Sequence, residues 1–208
     1  MKSHYMIDIE TTGVNKEKDE ILEVALVEIE MIKGYWKGTG KTFHRVLHYS
    51  GEPTDSFARE HMSELYKRCN ETEEIYNYQE LSKELKLFLH GVDMLGVISP
   101  KMFMGWNASN FDLPFMFKKG ILEPSYYVDT EEGQIMLGDV HYRIYEQTGA
   151  LNYVINTTGL DKNTVKLLAN DLNPVKIDLP PGKSHDALYD CYDQINMMNG
   201  LIAVGRKK

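Results

Sequence analysis

The chain has 208 residues, of which 42% are hydrophobic and 26% are charged, and its formal net charge at pH 7 is −8. This length and composition are typical of a soluble globular protein, so we expect residues 1–208 to form a single domain. The acidic balance argues against a protein that wraps duplex nucleic acid through a basic surface. The acidic balance is compatible with an enzyme in which bound cations supply the positive charge that binds one or two phosphates.

Other classes of protein receive no support from the sequence. No apolar run reaches membrane-spanning length, and the N-terminus lacks the basic and apolar segments of a secretory signal. The two cysteines, Cys69 and Cys191, are too few for a disulfide scaffold and form no metal-binding pair. We therefore expect a cytoplasmic protein without a membrane partner.

The first predicted element is a strand with two acidic residues on one face. Apolar and polar residues alternate from Tyr5 to Glu10, which is the period of a half-buried strand. Residues two apart point to the same face, so Asp8 and Glu10 lie side by side opposite Ile7 and Ile9. Two carboxylates this close repel each other unless a cation neutralises them. The pair is a candidate metal site, although a lone Asp-x-Glu is more often a solvated strand edge.

The following elements alternate between strands and helices. The first strand ends at a turn for which we expect Gly13 to adopt a positive φ. Gly34 and Gly38 separate the next two strands, so the chain opens as an antiparallel meander. The remaining predictions are strands at 21–29, 41–47, 101–106 and 126–129, helices at 55–68, 78–89, 111–119, 140–148 and 164–172, and a last helix from Ser184 towards Leu201.

Further acidic residues stand at the predicted helix starts. Asp112 begins a helix, where the helix dipole also favours a carboxylate without any metal. His185 and Asp190 begin the last helix. Two side chains that are five residues apart on a helix point about 140° away from each other. We therefore expect the side chains of His185 and Asp190 to flank one cleft without touching. Asp186, Asp190 and Asp193 form an acidic stripe whose mutual repulsion a cation would relieve.

Three motifs in order resemble those of the DEDDh 3′–5′ exonucleases, the superfamily that includes polymerase proofreading subunits, oligoribonuclease and RNase T. They are DIETTG from residue 8, NASNFDLPFM from residue 107 and HDALYD from residue 185. Histidine five residues before the last aspartate marks the h subclass. The chain departs from the family at Trp106, where histidine is common, and at Val14, where leucine is common. Neither departure removes a predicted metal ligand.

The resemblance implies an α/β RNase H-like fold, with a mixed five-stranded sheet and helices on both faces. It also implies two Mg²⁺ or Mn²⁺ ions. Asp8, Glu10 and Asp190 would bind the first ion, and Asp8 with Asp112 would hold the second. Oxygen ligands suit these metals better than zinc. His185 is then the general base that takes a proton from the attacking water.

The resemblance further implies contacts between the chain and a single-stranded 3′ end. The residues expected to contact the terminal nucleotide are Thr11, Thr12, Gly13, Val14, His61, Met62, Asn107 and Phe111. Val14, Met62 and Phe111 are candidates to stack on the terminal base, since stacking works without sequence preference. Ordinary core packing is an equal alternative for Met62 and Phe111. A surface position is the alternative for His61.

The sequence therefore predicts a metal-dependent 3′–5′ exonuclease that removes nucleoside monophosphates from single-stranded ends, with DNA slightly preferred. An exoribonuclease that trims short RNA or tRNA ends is the alternative within this class, because no residue pattern decides whether a 2′-hydroxyl is accepted. A binding module that lost its chemistry and a hydrolase of small phosphoesters are alternatives of other classes. The sequence is compatible with DNA repair or RNA processing, and with a homodimer or an association with a polymerase or repair complex.

Overall fold

The computed structural model of the chain describes residues 3–53, 56–73, 77–90, 101–122 and 145–206. The strands are β1 Ser3–Thr11, β2 Ile21–Ile32, β3 Tyr35–Val46, β4 Lys101–Gly105 and β5 Tyr145–Glu146. The helices are α1 Ser56–His61, α2 Ser63–Glu71, α3 Tyr78–His90, α4 Asp112–Lys118, α5 Gln147–Thr158, α6 Lys162–Leu172 and α7 Ala187–Arg206. Within the described ranges, no helix combines the length and apolar character needed to cross a membrane.

The strands form one mixed sheet in the order β3-β2-β1-β4-β5. The pairs β1–β2 and β2–β3 are antiparallel, whereas β4 runs parallel to β1 and β5 runs parallel to β4. The predicted mixed sheet and its antiparallel opening are therefore confirmed. Four strands of five or more residues occur in the described ranges, and the fifth position is filled only by the two-residue β5.

The alternation in β1 directs its side chains to opposite faces of the sheet. Ile7 and Ile9 are buried in a core cluster with Leu85 of α3. Met6 is buried on the other face, in a cluster with Ile195 of α7. Helices thus cover both faces, as predicted. Since Asp8 and Glu10 alternate with the isoleucines, they point to the face that α7 covers.

α7 is tied closely to its neighbours. The side chain of Asn199 donates to the carbonyl of Trp36 at 2.8 Å and accepts from its N–H at 2.7 Å, which joins α7 to β3. An added Cβ at Gly200 would overlap the carbonyl of Ala169 in α6. The glycine therefore allows α6 and α7 to pack backbone against backbone.

Several predicted boundaries differ from the observed ones. Gly34 makes the turn between β2 and β3 with a φ of 82°, but Gly38 lies inside β3. The pairing of β2 with β3 shifts register between Val27 and Ile29, close to Gly38. The strand β3 therefore continues through this glycine. The predicted helix at 55–68 is two helices separated by Met62.

The region before α5 was predicted least well. The predicted helix at 140–148 is wrong at residues 145 and 146, which form β5, and correct at 147 and 148, since the observed helix begins at Gln147. Residues 140–144 and the predicted strand at 126–129 lie outside the described residues. In contrast, α4 ends at Lys118, just before Gly120 with its φ of 69°, as the glycine stop predicted.

Candidate active site

Three elements bring their acidic residues to one cleft. β1 contributes Asp8 and Glu10, α4 begins with Asp112, and the first turn of α7 contributes Asp190. With His185, these residues line a cleft of about 350 Å³. The structure thus brings together every residue that the sequence suggested as a metal ligand or general base.

The candidate metal ligands fall into two groups: some lie close to one another, and others are hydrogen-bonded to the protein. Among the described residues, Glu10, His185 and Asp190 each offer one ligand atom, and these atoms all lie within 4.8 Å of one another. The Nδ1 atom of His185 is 4.0 Å from Oε1 of Glu10. Asp8 and Asp112 line the same cleft but are held by other groups: Asp8 Oδ1 accepts from the Gln194 side chain at 2.7 Å, and Asp112 Oδ1 accepts from the Ile9 N–H at 2.9 Å.

Buried like charges make the cleft costly for the metal-free protein. Burial, and then the charge of Asp112, raises the pKa of Asp8 well above its ordinary value. Burial and the charge of Asp190 raise the pKa of Glu10 to about 9. Burial also raises the pKa of Asp190 itself to about 6. Divalent cations in the cleft would remove this repulsion, since they are the largest local charges in such a site.

His185 and Asp190 are joined by a hydrogen bond that helix geometry does not predict, and it comes from the backbone of His185, not from its side chain. The last helix begins at Ala187, not Ser184, so His185 precedes it and has a left-handed φ of 70°. Its backbone N–H donates to Asp190 Oδ2 at 2.9 Å. The divergence of about 140° applies only when both residues are helical, and that condition is not met here.

The surroundings of His185 suit a proton acceptor. Burial, followed by the neighbouring His61 and Lys183, lowers the pKa of the His185 imidazole. A lowered pKa keeps the ring neutral near pH 7, so a ring nitrogen is available to accept a proton.

Gln194 also lines the cleft, although no sequence motif indicated it. Its Nε2 donates to Asp8 Oδ1 at 2.7 Å, and its Oε1 accepts from the Trp106 N–H at 3.1 Å. One amide side chain therefore connects β1, the end of β4 and α7. Gln194 follows Asp190 by four residues, and this spacing, which places both on one face of α7, is the signal that would have identified it.

A buried charge network anchors the start of α7. Glu23 of β2 is fully buried and accepts the Ala187 N–H at 3.0 Å. It also pairs with His44 at 2.5 Å and with Arg68 at 3.2 Å, and Arg68 pairs in turn with Asp186. Burial alone would raise the pKa of Glu23, but the His44 hydrogen bond and the Arg68 charge lower it overall. The network therefore holds an ionised carboxylate beneath the turn that carries the histidine of the site.

The turn after β1 is built from its own side chains. Thr11 Oγ1 donates to the Gly13 carbonyl at 2.6 Å, and Thr12 Oγ1 accepts from the Glu20 N–H at 2.9 Å. The expected positive φ at Gly13 is not observed. A Cβ there would lie 2.5 Å from Asp19 Oδ2, so a side chain at this position would displace that carboxylate.

The remaining residues expected to contact the nucleotide have different environments. Phe111 is half-buried and lines the cleft, and Val14 is 85% exposed. The His61 ring centre lies 5.8 Å from that of His185. Met62 is 5% exposed and buried in a core cluster, which fits the packing alternative. Asn107 occupies the turn after β4 with a φ of 59° and accepts a hydrogen bond from another side chain of that turn.

Comparisons with known structures identify the fold of the chain. No protein-family model matches the sequence, and no curated protein does. The RNase domain of the yeast Pop2 protein matches with a TM-score of 0.58 and 13% identity, covering 98% of this chain and 77% of that one. A zinc-bound complex of E. coli exonuclease I with single-stranded DNA matches with a TM-score of 0.60 and 15% identity, covering 100% of this chain and 41% of that one. The fold is RNase H-like.

A second structure of exonuclease I agrees, with a TM-score of 0.59 and 14% identity over 95% of this chain and 40% of that one. The RNase H-like fold implied by the sequence motifs is therefore confirmed. The chain spans about two fifths of the exonuclease I chain. At these identities the likeness concerns the fold, so the chemistry has to be argued from the residues of the cleft.

Proposed function

We propose that residues 1–208 form one domain that hydrolyses single-stranded nucleic acid from the 3′ end and releases nucleoside monophosphates. The observation that carries the proposal is the cleft in which Asp8, Glu10, Asp112, Asp190 and His185 meet. The fold gives further support, because it is shared with an RNase domain and with an exonuclease that binds single-stranded DNA. Neither observation alone identifies the reaction.

The donor set fits hard divalent cations. All four acidic residues offer carboxylate oxygens, which Mg²⁺ and Mn²⁺ prefer. The raised pKa values of Asp8, Glu10 and Asp190 reflect negative charge that these cations would neutralise. We propose that Asp8, Glu10 and Asp190 hold one ion and that Asp8 and Asp112 hold a second. When bound, such ions supply Lewis acidity for attack by water and for departure of the 3′ oxygen.

The protein's own groups supply the proton transfer and the orientation. His185 accepts the proton of the attacking water, and its Nδ1 lies 4.0 Å from Glu10 Oε1, inside the cleft. The bond from its N–H to Asp190 fixes the histidine backbone relative to a metal ligand. Gln194 fixes Asp8 in the same way. His185 and Asp8 are therefore each held by a hydrogen bond, as the precise geometry of a catalytic site requires.

The proposed substrate is a single strand whose terminal nucleotide contacts the turn after β1. Phe111 and His61 would contact this nucleotide from the edges of the cleft. DNA slightly preferred over RNA is the main version of the proposal, and an exoribonuclease is the second. Two neighbours favour different versions, since the Pop2 structure is described as an RNase domain and the exonuclease I structure contains single-stranded DNA.

A time course with 5′-labelled single-stranded DNA and RNA of equal sequence tests the proposal. The reactions contain Mg²⁺, Mn²⁺ or EDTA, and the matched control is Asp8→Asn. We expect a ladder that shortens one nucleotide at a time from the 3′ end, only with metal and only with the unsubstituted protein. Strand binding without any cleavage would instead indicate a binding module that has lost its chemistry.

A further inference from the structure

A second cavity, of about 510 Å³, lies beside the active-site cleft. Residues of α6 and α7 line it, and among them are the amide side chains of Asn163, Asn170 and Asn196. Lys166 and Asp193 line both cavities. The two spaces therefore share a wall, and a chain that leaves the cleft on this side enters an amide-lined groove.

An aromatic ring and a cation stand at the junction. The Nζ atom of Lys166 lies 5.1 Å from the centre of the Trp106 ring, and both residues line the active-site cleft. Among the described residues, Lys166 is the only lysine or arginine that lines either cavity. The Trp106 backbone is fixed by the Gln194 side chain at 3.1 Å. The Lys166 ammonium thus lies over the indole beside the carboxylates, and the indole also packs against a core cluster.

We propose that Trp106 and Lys166 form a subsite for the nucleotide next to the terminal one. This inference rests on the proposed exonuclease function. The terminal nucleotide is expected on the side of the turn after β1, whereas Trp106 and Lys166 stand on the side that opens into the second cavity. The continuing strand then passes over them: its phosphate draws the Lys166 ammonium away from the indole face, and a base stacks on the face so exposed.

The charges explain why a lysine is needed at this junction. The metal ions would neutralise the phosphate at the carboxylates, but the next phosphate lies beyond them and needs a cation from the protein. Asp193 lines both cavities and would repel that phosphate. Without Lys166, the wall would present only negative charge to the strand, so its removal costs more than loss of an ordinary surface lysine.

Substrates with and without a second nucleotide test the subsite. The probes are a deoxythymidine decamer and the p-nitrophenyl ester of thymidine 5′-monophosphate, which has no neighbouring nucleotide. We expect Lys166→Gln to raise KM for the decamer several-fold more than KM for the ester. The logarithmic salt dependence of decamer binding should also lose about one unit of slope, because one phosphate contact disappears.

Matched variants separate this effect from a general one. Lys162→Gln removes the same charge from the exposed start of the same helix, where the side chain lines neither cavity, and should leave both KM values unchanged. Trp106→Ala should raise KM for the decamer on the order of tenfold, and Trp106→Phe should restore most of the loss by keeping a stacking face.

The outcomes distinguish the subsite from the function on which it rests. Decamer cleavage with equal KM values for Lys166→Gln and Lys162→Gln would overturn the subsite and leave the exonuclease proposal intact. Failure of the unsubstituted protein to cleave the decamer from its 3′ end would overturn both. A selective increase in KM for the decamer supports both.

Discussion

His185 shows what a sequence motif predicts about a single residue and what it does not. The HDALYD segment predicts that a histidine and an aspartate serve one site, and both line the cleft. The contact between the His185 N–H and Asp190 was not predicted, because it depends on where the helix begins. A left-handed residue before Ala187 brings the two together. Neither propensity nor periodicity indicates such a turn.

We predict that His185→Ala reduces kcat by about 10²- to 10⁴-fold, the usual contribution of a general base, and changes Mn²⁺ affinity little. Single-turnover rates and calorimetric Mn²⁺ titration measure the two effects. His48→Ala, which removes an exposed histidine outside the cleft, is the control. A large loss of Mn²⁺ affinity would show that His185 is a metal ligand and not a base, which its place in the group with Glu10 and Asp190 also allows.

Gln194 is expected to influence metal binding through its hydrogen bond to Asp8. We predict that Gln194→Leu, which keeps the approximate size but loses the donor to Asp8, lowers metal affinity by about 10- to 100-fold. Gln79→Leu on the exposed surface of α3 is the matched control. Metal affinity is the decisive readout, because a purely structural role would lower Tm without changing the binding constant of the folded protein. An unchanged constant would contradict the positioning role.

At the scale of elements, the sequence predicts well where one element is amphipathic and poorly where distant elements meet. The spacing of Leu81, Leu85 and Leu89 predicted α3, and all three are buried as expected. Nothing in that pattern relates Glu23 to Ala187, which lie 164 residues apart. The charge network depends on the packing of β2, β3, α2 and α7 together, so it is visible only in the fold.

This network leads to a prediction about stability. Arg68→Met removes a cation from the buried Glu23 and from Asp186, and we expect a loss of about 2 kcal/mol or more in the free energy of unfolding. Urea denaturation measures it, with Lys67→Met on the exposed face of α2 as the control.

Adding Glu23→Gln to Arg68→Met should recover part of the loss, because the uncompensated charge is then gone. If the double variant were less stable than the sum of the single effects predicts, the ionised state of Glu23 would be the wrong explanation. The same variants should also displace the start of α7, and hence His185, relative to the carboxylates.

The whole molecule is organised so that separate parts of the chain meet at the end of β1. β1 lies between β2 and β4 in the sheet, α4 begins after β4, and α7 crosses the face to which Asp8 and Glu10 point. The resemblance of the three motifs to those of a known family was enough to predict this arrangement. The fifth strand was not located, because β5 has only two residues and carries no periodicity.

The carboxylates make stability of the metal-free protein depend on pH. The pKa values of Asp190 and Glu10 are raised by burial to about 6 and about 9, from ordinary values of 3.8 and 4.5. Each group therefore binds its proton more tightly in the folded state. The resulting penalty is absent below the ordinary values and grows as the pH rises from them, up to about 6 for Asp190 and up to about 9 for Glu10. Metal-free protein should thus lose stability across this range.

Bound cations should cancel that penalty, so we predict that Mg²⁺ raises Tm more at about pH 8 than at about pH 5. Saturation at about 100 times Kd adds about 2.7 kcal/mol per site, which corresponds to roughly 5–10 °C in a chain of this size. Differential scanning fluorimetry with Mg²⁺ or EDTA measures the shift. Asp190→Asn removes one repelling charge and should reduce both the loss of stability with pH and the gain from Mg²⁺. An equal increase in Tm at both pH values would mean that the metal does not neutralise these carboxylates.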